Sequence, residues 1–151
     1  MYLVDMDDLI LDTTANMLKF YKITPPEGKY NRAEVFQDAK EPLPANFWLT
    51  VAHSPYLDMM LALLILEGGV AITMAGSHWE AHSKYIKWLQ IVDFRFHFVA
   101  TNKLFAETVS QDATLVTTNE DQEWAGKRIL IPAPWNSVEG DVLETITGAM
   151  I

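Results

Sequence analysis

The chain contains no cysteine, which excludes a disulfide framework and a thiolate metal site and fits a cytosolic, cytoplasmic home. Positive charge is scarce: 11 Lys and Arg stand against 20 Asp and Glu, for a formal net charge of −9. Gripping the phosphate backbone of a duplex requires clustered Lys and Arg, so duplex nucleic acid is excluded as a general partner. A small phosphorylated ligand held by a local site is not. Long apolar runs are also missing. The longest, Met59 to Leu66, is too short to span a bilayer and ends in Glu67-Gly68-Gly69, so it reads as a buried helix face and no membrane partner is expected. No basic segment followed by an apolar one opens the sequence, so nothing suggests secretion. Neither an internal repeat nor a low-complexity tract is visible. What the chain does have is apolar bulk: half of its 151 residues, with five Trp, five Tyr and seven Phe. That is enough for one globular domain over residues 1–151 with a real core.

The first irregularity is "VDMDDLILDTT". An apolar run, Tyr2, Leu3 and Val4, stops in three carboxylates, Asp5, Asp7 and Asp8. Like charges that close repel, the more so away from water. Such crowding is tolerated when a cation sits among the carboxylates or when one of them has chemistry to do; an acidic turn after a strand is the plain alternative. Residues 2–6 read as a buried strand. Asp12 or Thr13 is placed to cap a helix carrying Met17, Leu18 and Tyr21. Four prolines then break the pattern, and residues 25–54 read as a small irregular cap insertion with one short helix near Arg32 to Ala39. "SPYLDMMLALLILEGG" is a helix with Pro early and Gly at its stop. "VAIT" from Val70, "FRFHFVA" from Phe94, "ATLVTT" from Ala113 and "KRILI" from Lys127 are strands. In the third, Arg95 and His97 share a face. "SHWEAHSKYIKWLQ" is a helix with Trp79, His82, Ile86 and Leu89 toward one side, and "SVEGDVLETITGAMI" closes as another. Strands alternating with helices predict an α/β fold with a parallel sheet.

Ligands of such sheets bind beyond the carboxyl ends of the strands. Asp5 and Asp7 follow the first strand, Thr73 closes the second and Lys103 stands near the third. Thr117 and Thr118 end the fourth, followed by Asn119, Glu120 and Asp121. Asp, Asp, Thr and Lys in that order resemble the haloacid dehalogenase (HAD) superfamily of phosphatases. Asp5-Met6-Asp7-Asp8-Leu9 is similar to its first motif, with Leu9 where Thr or Val is usual. "NFWLTVAHSPYLDMMLALL", "KYIKWLQ" and "ILIPAPWN" are similar to the 5'(3')-deoxyribonucleotidase branch, including its phage and bacterial relatives.

The resemblance implies a HAD-like Rossmannoid sheet and a phosphomonoester hydrolase acting on a nucleotide or similar small phosphorylated substrate. Asp5 would attack phosphorus to form an aspartyl-phosphate, and Asp7 would act as acid and then base. Thr73 and Lys103 would hold phosphate oxygens. Mg²⁺ would lie between Asp5, the Asp7 carbonyl, phosphate and water. Phe47, Trp48, Trp135 and Asn136 are candidates for contacts to the organic part of the substrate, with core or loop packing as the plain alternative for each. A homodimer is compatible with the resemblance. One motif departs: the family leads one to expect Asp-Asp at Thr117-Thr118. Either Asp121 or Glu120 then reaches the metal from the loop, or the Mg²⁺ site is weakened and the domain binds a phosphorylated ligand or protein partner without turning it over. His78 and His82 stand four apart, but no H-E-x-x-H pattern accompanies them, so they read as surface or core residues. Lys29, Arg32 and Lys40 in the insertion read as a solvated loop, with attraction of an anionic substrate as the alternative.

Overall fold

A computed structural model describes residues 1–92 and 97–150. Its frame is a five-stranded sheet, parallel throughout, in the order β3-β2-β1-β4-β5. The strands are β1 (Tyr2–Asp5), β2 (Gly69–Met74), β3 (His97–Thr101), β4 (Thr114–Thr117) and β5 (Arg128–Leu130). The expected start of the third strand, with Phe94 and Arg95, lies outside the described residues. The helices are α1 (Thr13–Phe20), α2 (Arg32–Val35), α3 (Phe47–Thr50), α4 (Leu57–Glu67), α5 (His78–Ile91), α6 (Phe105–Thr108) and α7 (Val142–Met150). This is an α/β architecture compatible with a Rossmann-like fold. Among the described residues no helix is long and apolar enough to cross a membrane.

Both faces of the sheet are covered, which is why its strands read as nearly unbroken apolar runs. Val4, Ala71, Val116 and Ile129 point to one face and meet Met60, Leu63 and Leu64 of α4, Trp88 of α5, and Val142 and Ile146 of α7. Leu3, Ile72 and Leu115 point to the other, where Phe105 of α6 and Trp124 pack. Residues 25–54 hold two single-turn helices in an otherwise irregular path; α2 ends at Val35, short of the expected Ala39.

Two local expectations are corrected. Asp12 does occupy the N-cap of α1, but its side chain makes no capping hydrogen bond, and the Thr13 hydroxyl is turned to Asp7 instead. Helix α5 is rolled relative to its apolar pattern: Trp79 is 68 % exposed and Leu89 41 %, while Ser83, Lys84 and Trp88 face inward. The roll follows from what lies beneath the helix. Trp88 fills the core and the carboxylates after β1 take the lysine, so charge pairing outweighs the burial of two apolar side chains. The start of α5 is fixed by Ser77, which accepts from the Glu80 N–H at 3.1 Å, while the Glu80 carboxylate accepts from the Gly76 N–H.

Candidate active site

The order 3-2-1-4-5 reverses direction between β1 and β4, and the crevice at such a switch point is where open parallel sheets bind ligands. The residues that leave β1 there make a tight knot. Ile10 and Leu11 N–H groups both donate to the Met6 carbonyl at 3.0 Å, and the Asp8 N–H donates to Leu11 at 2.7 Å. Leu9, Ile10 and Leu11 are buried in the core. This apolar anchor holds three carboxylates at the mouth of the sheet. Asp8 sits at φ 69°, in the left-handed region that only a few non-glycine residues tolerate, Asp among them.

Each carboxylate has a different set of partners. Asp8 accepts from the Thr14 N–H (2.7 Å) and hydroxyl (2.8 Å) and pairs with Arg32 at 3.1 Å. Asp7 accepts from Thr13 at 2.8 Å, from Thr73 at 2.9 Å and from the Lys84 ammonium at 3.1 Å. Among the described residues Asp5 has neutral donors, the Asp7 N–H at 3.2 Å and the Thr117 hydroxyl at 2.8 Å, and no cationic partner. It is buried beside Asp7. Burial first, and the neighbouring Asp7 charge second, push its carboxyl up to about 8. Asp8 is raised to about 6, mainly by burial and against the pull of its hydrogen bonds from Thr14.

Lys84 is the residue that sequence reasoning missed. Only 1 % exposed, it donates to Asp7, to the Thr73 hydroxyl (2.9 Å) and to the Met74 carbonyl (2.8 Å). Its ammonium lies 4.2 Å from the centroid of the Trp48 ring, a cation–π contact. Lys103, to which the resemblance gives the phosphate-holding role, lies apart from the carboxylates. Its N–H donates to the Thr101 hydroxyl, turning the chain at the strand end, and it lines a neighbouring cavity with His78 and Glu107. Asn102 is the residue there that reaches the main cavity.

That main cavity, about 620 Å³, opens over the carboxylates. Its polar floor is Asp5, Asp7, Asp8, Thr14 and Lys84, and Met17, Phe36 and Trp48 give it an apolar side. Of the candidates for contacts to an organic group, Trp48 faces this space. Phe47 does not: it is buried, edge-on to Phe20 and Trp48. Asn136 is buried and its amide is occupied by backbone, donating to the Thr118 and Ile131 carbonyls at 2.9 and 2.8 Å. Trp135 lines a different cavity, and its indole N–H donates to the Thr118 hydroxyl at 3.2 Å. Arg32 is no solvated loop residue; besides Asp8, it lies 4.7 Å over the Trp135 ring and so ties the insertion to both loops.

The loop after β4 does not deliver the expected acids. Asp121 is exposed and lies outside the cavity lining, and the Glu120 carboxylate accepts from Ser137 at 2.6 Å, which directs it to the β5–α7 loop. Asn119 and Gln122 line the cavity instead. Among the described residues no group of three or more His, Cys, Asp or Glu side chains is arranged to hold a metal ion. Comparison of the chain with protein-family models, with curated proteins and with solved structures returns no match.

Proposed function

We propose that the chain is a HAD-type phosphomonoester hydrolase of the deoxyribonucleotidase-like branch, acting on a nucleotide or similar small phosphate. The observation that carries this reading is Asp5. It is a buried carboxylate at the switch point of a parallel sheet, beside a second carboxylate held by Thr73 and Lys84, at the floor of a cavity with an apolar side. In the proposed reaction the proton held on Asp5 passes to Asp7 as substrate binds, the freed Asp5 oxygen attacks phosphorus, the P–O bond to the leaving alcohol breaks, and Asp7 gives that proton to the leaving oxygen. Water, deprotonated by Asp7, then cleaves the aspartyl-phosphate and regenerates Asp5. Lys84 and Thr73 take the role of phosphate clamp. All three Lys84 N–H groups already have protein acceptors, so a bound phosphate oxygen would replace one of them.

Mg²⁺ fits this donor set with few protein ligands. Asp5, the carboxylate without a cationic partner, and the Asp7 carbonyl would hold it, and Mg²⁺ commonly keeps several waters and binds through one or two carboxylates plus phosphate. When bound it would neutralise charge on the transferring phosphoryl group. Its binding would also require Asp5 ionised, so its affinity rises with pH toward the raised Asp5 value.

A second reading has one observation in its favour. The Thr117 hydroxyl donates to Asp5 where the family places an acid, so a neutral group replaces a metal ligand. On that reading the site binds a phosphorylated ligand without turnover. Phosphate release from a panel of nucleoside monophosphates, with Mg²⁺ and with EDTA, separates the two. Metal-dependent release by the wild type that disappears in Asp5→Asn is the expected result. No release from any member by folded wild-type protein, with ligand binding retained, establishes the second reading.

A further inference from the structure

A second cavity, about 260 Å³, adjoins the first, and Asp8, Thr14 and Thr118 line both and so form the partition between them. Three aromatic residues, Tyr30, Tyr56 and Trp135, and three prolines supply much of its wall. Two carboxylates, Asp8 and Asp12, line it, and no Lys, Arg or His does. Asp8 already has Arg32 and Thr14 as partners. The Asp12 side chain has none among the described residues: it is part-buried, makes no capping bond, and burial raises its carboxyl.

The walls of this cavity are tied together without a ligand. The Tyr30 N–H donates to the Pro134 carbonyl at 2.9 Å, and Lys29 donates to the carbonyls of Ala133 (2.7 Å) and Val138 (2.8 Å). A preformed, aromatic-walled space with an uncompensated carboxylate selects for positive charge, because ring faces and the carboxylate both attract it. An anion would meet two carboxylates, and a neutral apolar molecule would leave Asp12 further desolvated and unpaired. A bare metal ion would find one carboxylate, Asp12, not already engaged, since Asp8 is taken by Thr14 and Arg32. The volume is below that of a typical pocket for a drug-sized ligand. We propose that this cavity is a binding site for a small organic cation, an alkylammonium group, with Asp12 as its counter-charge and Tyr30 and Tyr56 as its aromatic walls, the Trp135 ring already carrying Arg32. The inference is independent of the phosphoryl chemistry assigned to the first cavity.

The test is a calorimetric titration of the full chain with choline, beside its uncharged tert-butyl isostere. Choline binds saturably at one site, and the isostere binds at least tenfold more weakly. Asp12→Asn, which keeps a good N-cap residue and should keep the denaturation midpoint, weakens choline at least tenfold. Ala15 is exposed where it lines the cavity, so Ala15→Phe narrows the mouth without touching the core and abolishes binding. Absence of saturable choline binding, equal affinity for the isostere, or wild-type affinity in Asp12→Asn would each overturn the proposal.

Discussion

Replacing Lys84 by Met tests whether the site is held together by a buried ion pair. Methionine keeps most of the apolar stem and deletes the ammonium. Lost with it are the 3.1 Å pairing with Asp7, the bonds to Thr73 and Met74, and the contact with Trp48. Removing one partner of a buried pair costs about 3–5 kcal/mol, because the other charge is left uncompensated. Asp7 is 23 % exposed and keeps its bonds from Thr13 and Thr73, so water and hydroxyls soften the loss. The expected cost of Lys84→Met is therefore at the lower end, about 3 kcal/mol, or roughly 10 °C in midpoint for a domain of this size. Asp7→Asn leaves the lysine with the more distant Glu80 carboxylate, at 3.7 Å, and costs a similar amount or less. The double variant leaves neither member of the buried pair charged, with Glu80 the one carboxylate that has lost the lysine, and should fall short of the sum of the two by about 2 kcal/mol. Urea denaturation of all four proteins at neutral pH closes the cycle. A single-variant cost under about 1 kcal/mol, or additivity within about 0.5 kcal/mol, would refute the pairing and with it the clamp role given to Lys84.

Two further outcomes follow from Asp5. Its carboxyl is raised from 3.8 to about 8 in the folded chain, so the folded state holds a proton that the unfolded state has released. Stability therefore falls as pH rises between those values and levels off above about 8. Asp8, raised to about 6, adds a drop in the same direction at lower pH. Denaturation midpoints between about pH 6.5 and 8 isolate the Asp5 contribution; Asp5→Asn should flatten the curve there, and an unchanged slope would show that Asp5 is ionised throughout. Thr117→Asp places an acid where a hydroxyl now lies 2.8 Å from Asp5. It should destabilise the metal-free chain and lower the Mg²⁺ concentration needed to stabilise it by at least tenfold, read by thermal midpoint against Mg²⁺. A variant indifferent to Mg²⁺ would remove the metal site from the proposal.

The strands were legible because a parallel sheet covered on both faces writes itself as short apolar runs between turns. Asp5 and Thr73 could be placed at strand ends for the same reason. Lys84 could not. Helical periodicity weighs apolar side chains, and Trp79 and Leu89 suggested a face that the folded chain leaves exposed. The available signal was a lysine four residues before Trp88, which puts a charge on the same stripe as a large core residue. Arg32 was hidden differently. Its partners, Asp8 and Trp135, are 24 and 103 positions away, and an irregular insertion gives no period from which such a meeting can be read. Asp121 looked available as a replacement ligand only because loop direction is absent from a sequence; the neighbouring Glu120 turns to Ser137, and Asn119 and Gln122 face the cavity.

The charge balance of the knot explains how a chain can fold with three carboxylates so close together. Lys84 neutralises Asp7 and Arg32 neutralises Asp8. The remaining charge on Asp5 is relieved by taking up a proton, with the Thr117 hydroxyl and the Asp7 N–H as donors. An acid at position 117 would add a like charge at hydrogen-bond distance, which the metal-free fold could accommodate only with a cation bound or a second raised carboxyl. On the proposed chemistry, threonine there trades Mg²⁺ affinity for stability of the metal-free fold. The same protonated Asp5 is a poor nucleophile. On the proposed chemistry, any ligand that brings positive charge to Asp5 must displace its proton as it binds, and Asp7 beside it is the group that takes that proton and later gives it to the leaving oxygen, so deprotonation of Asp5 and activation are one event.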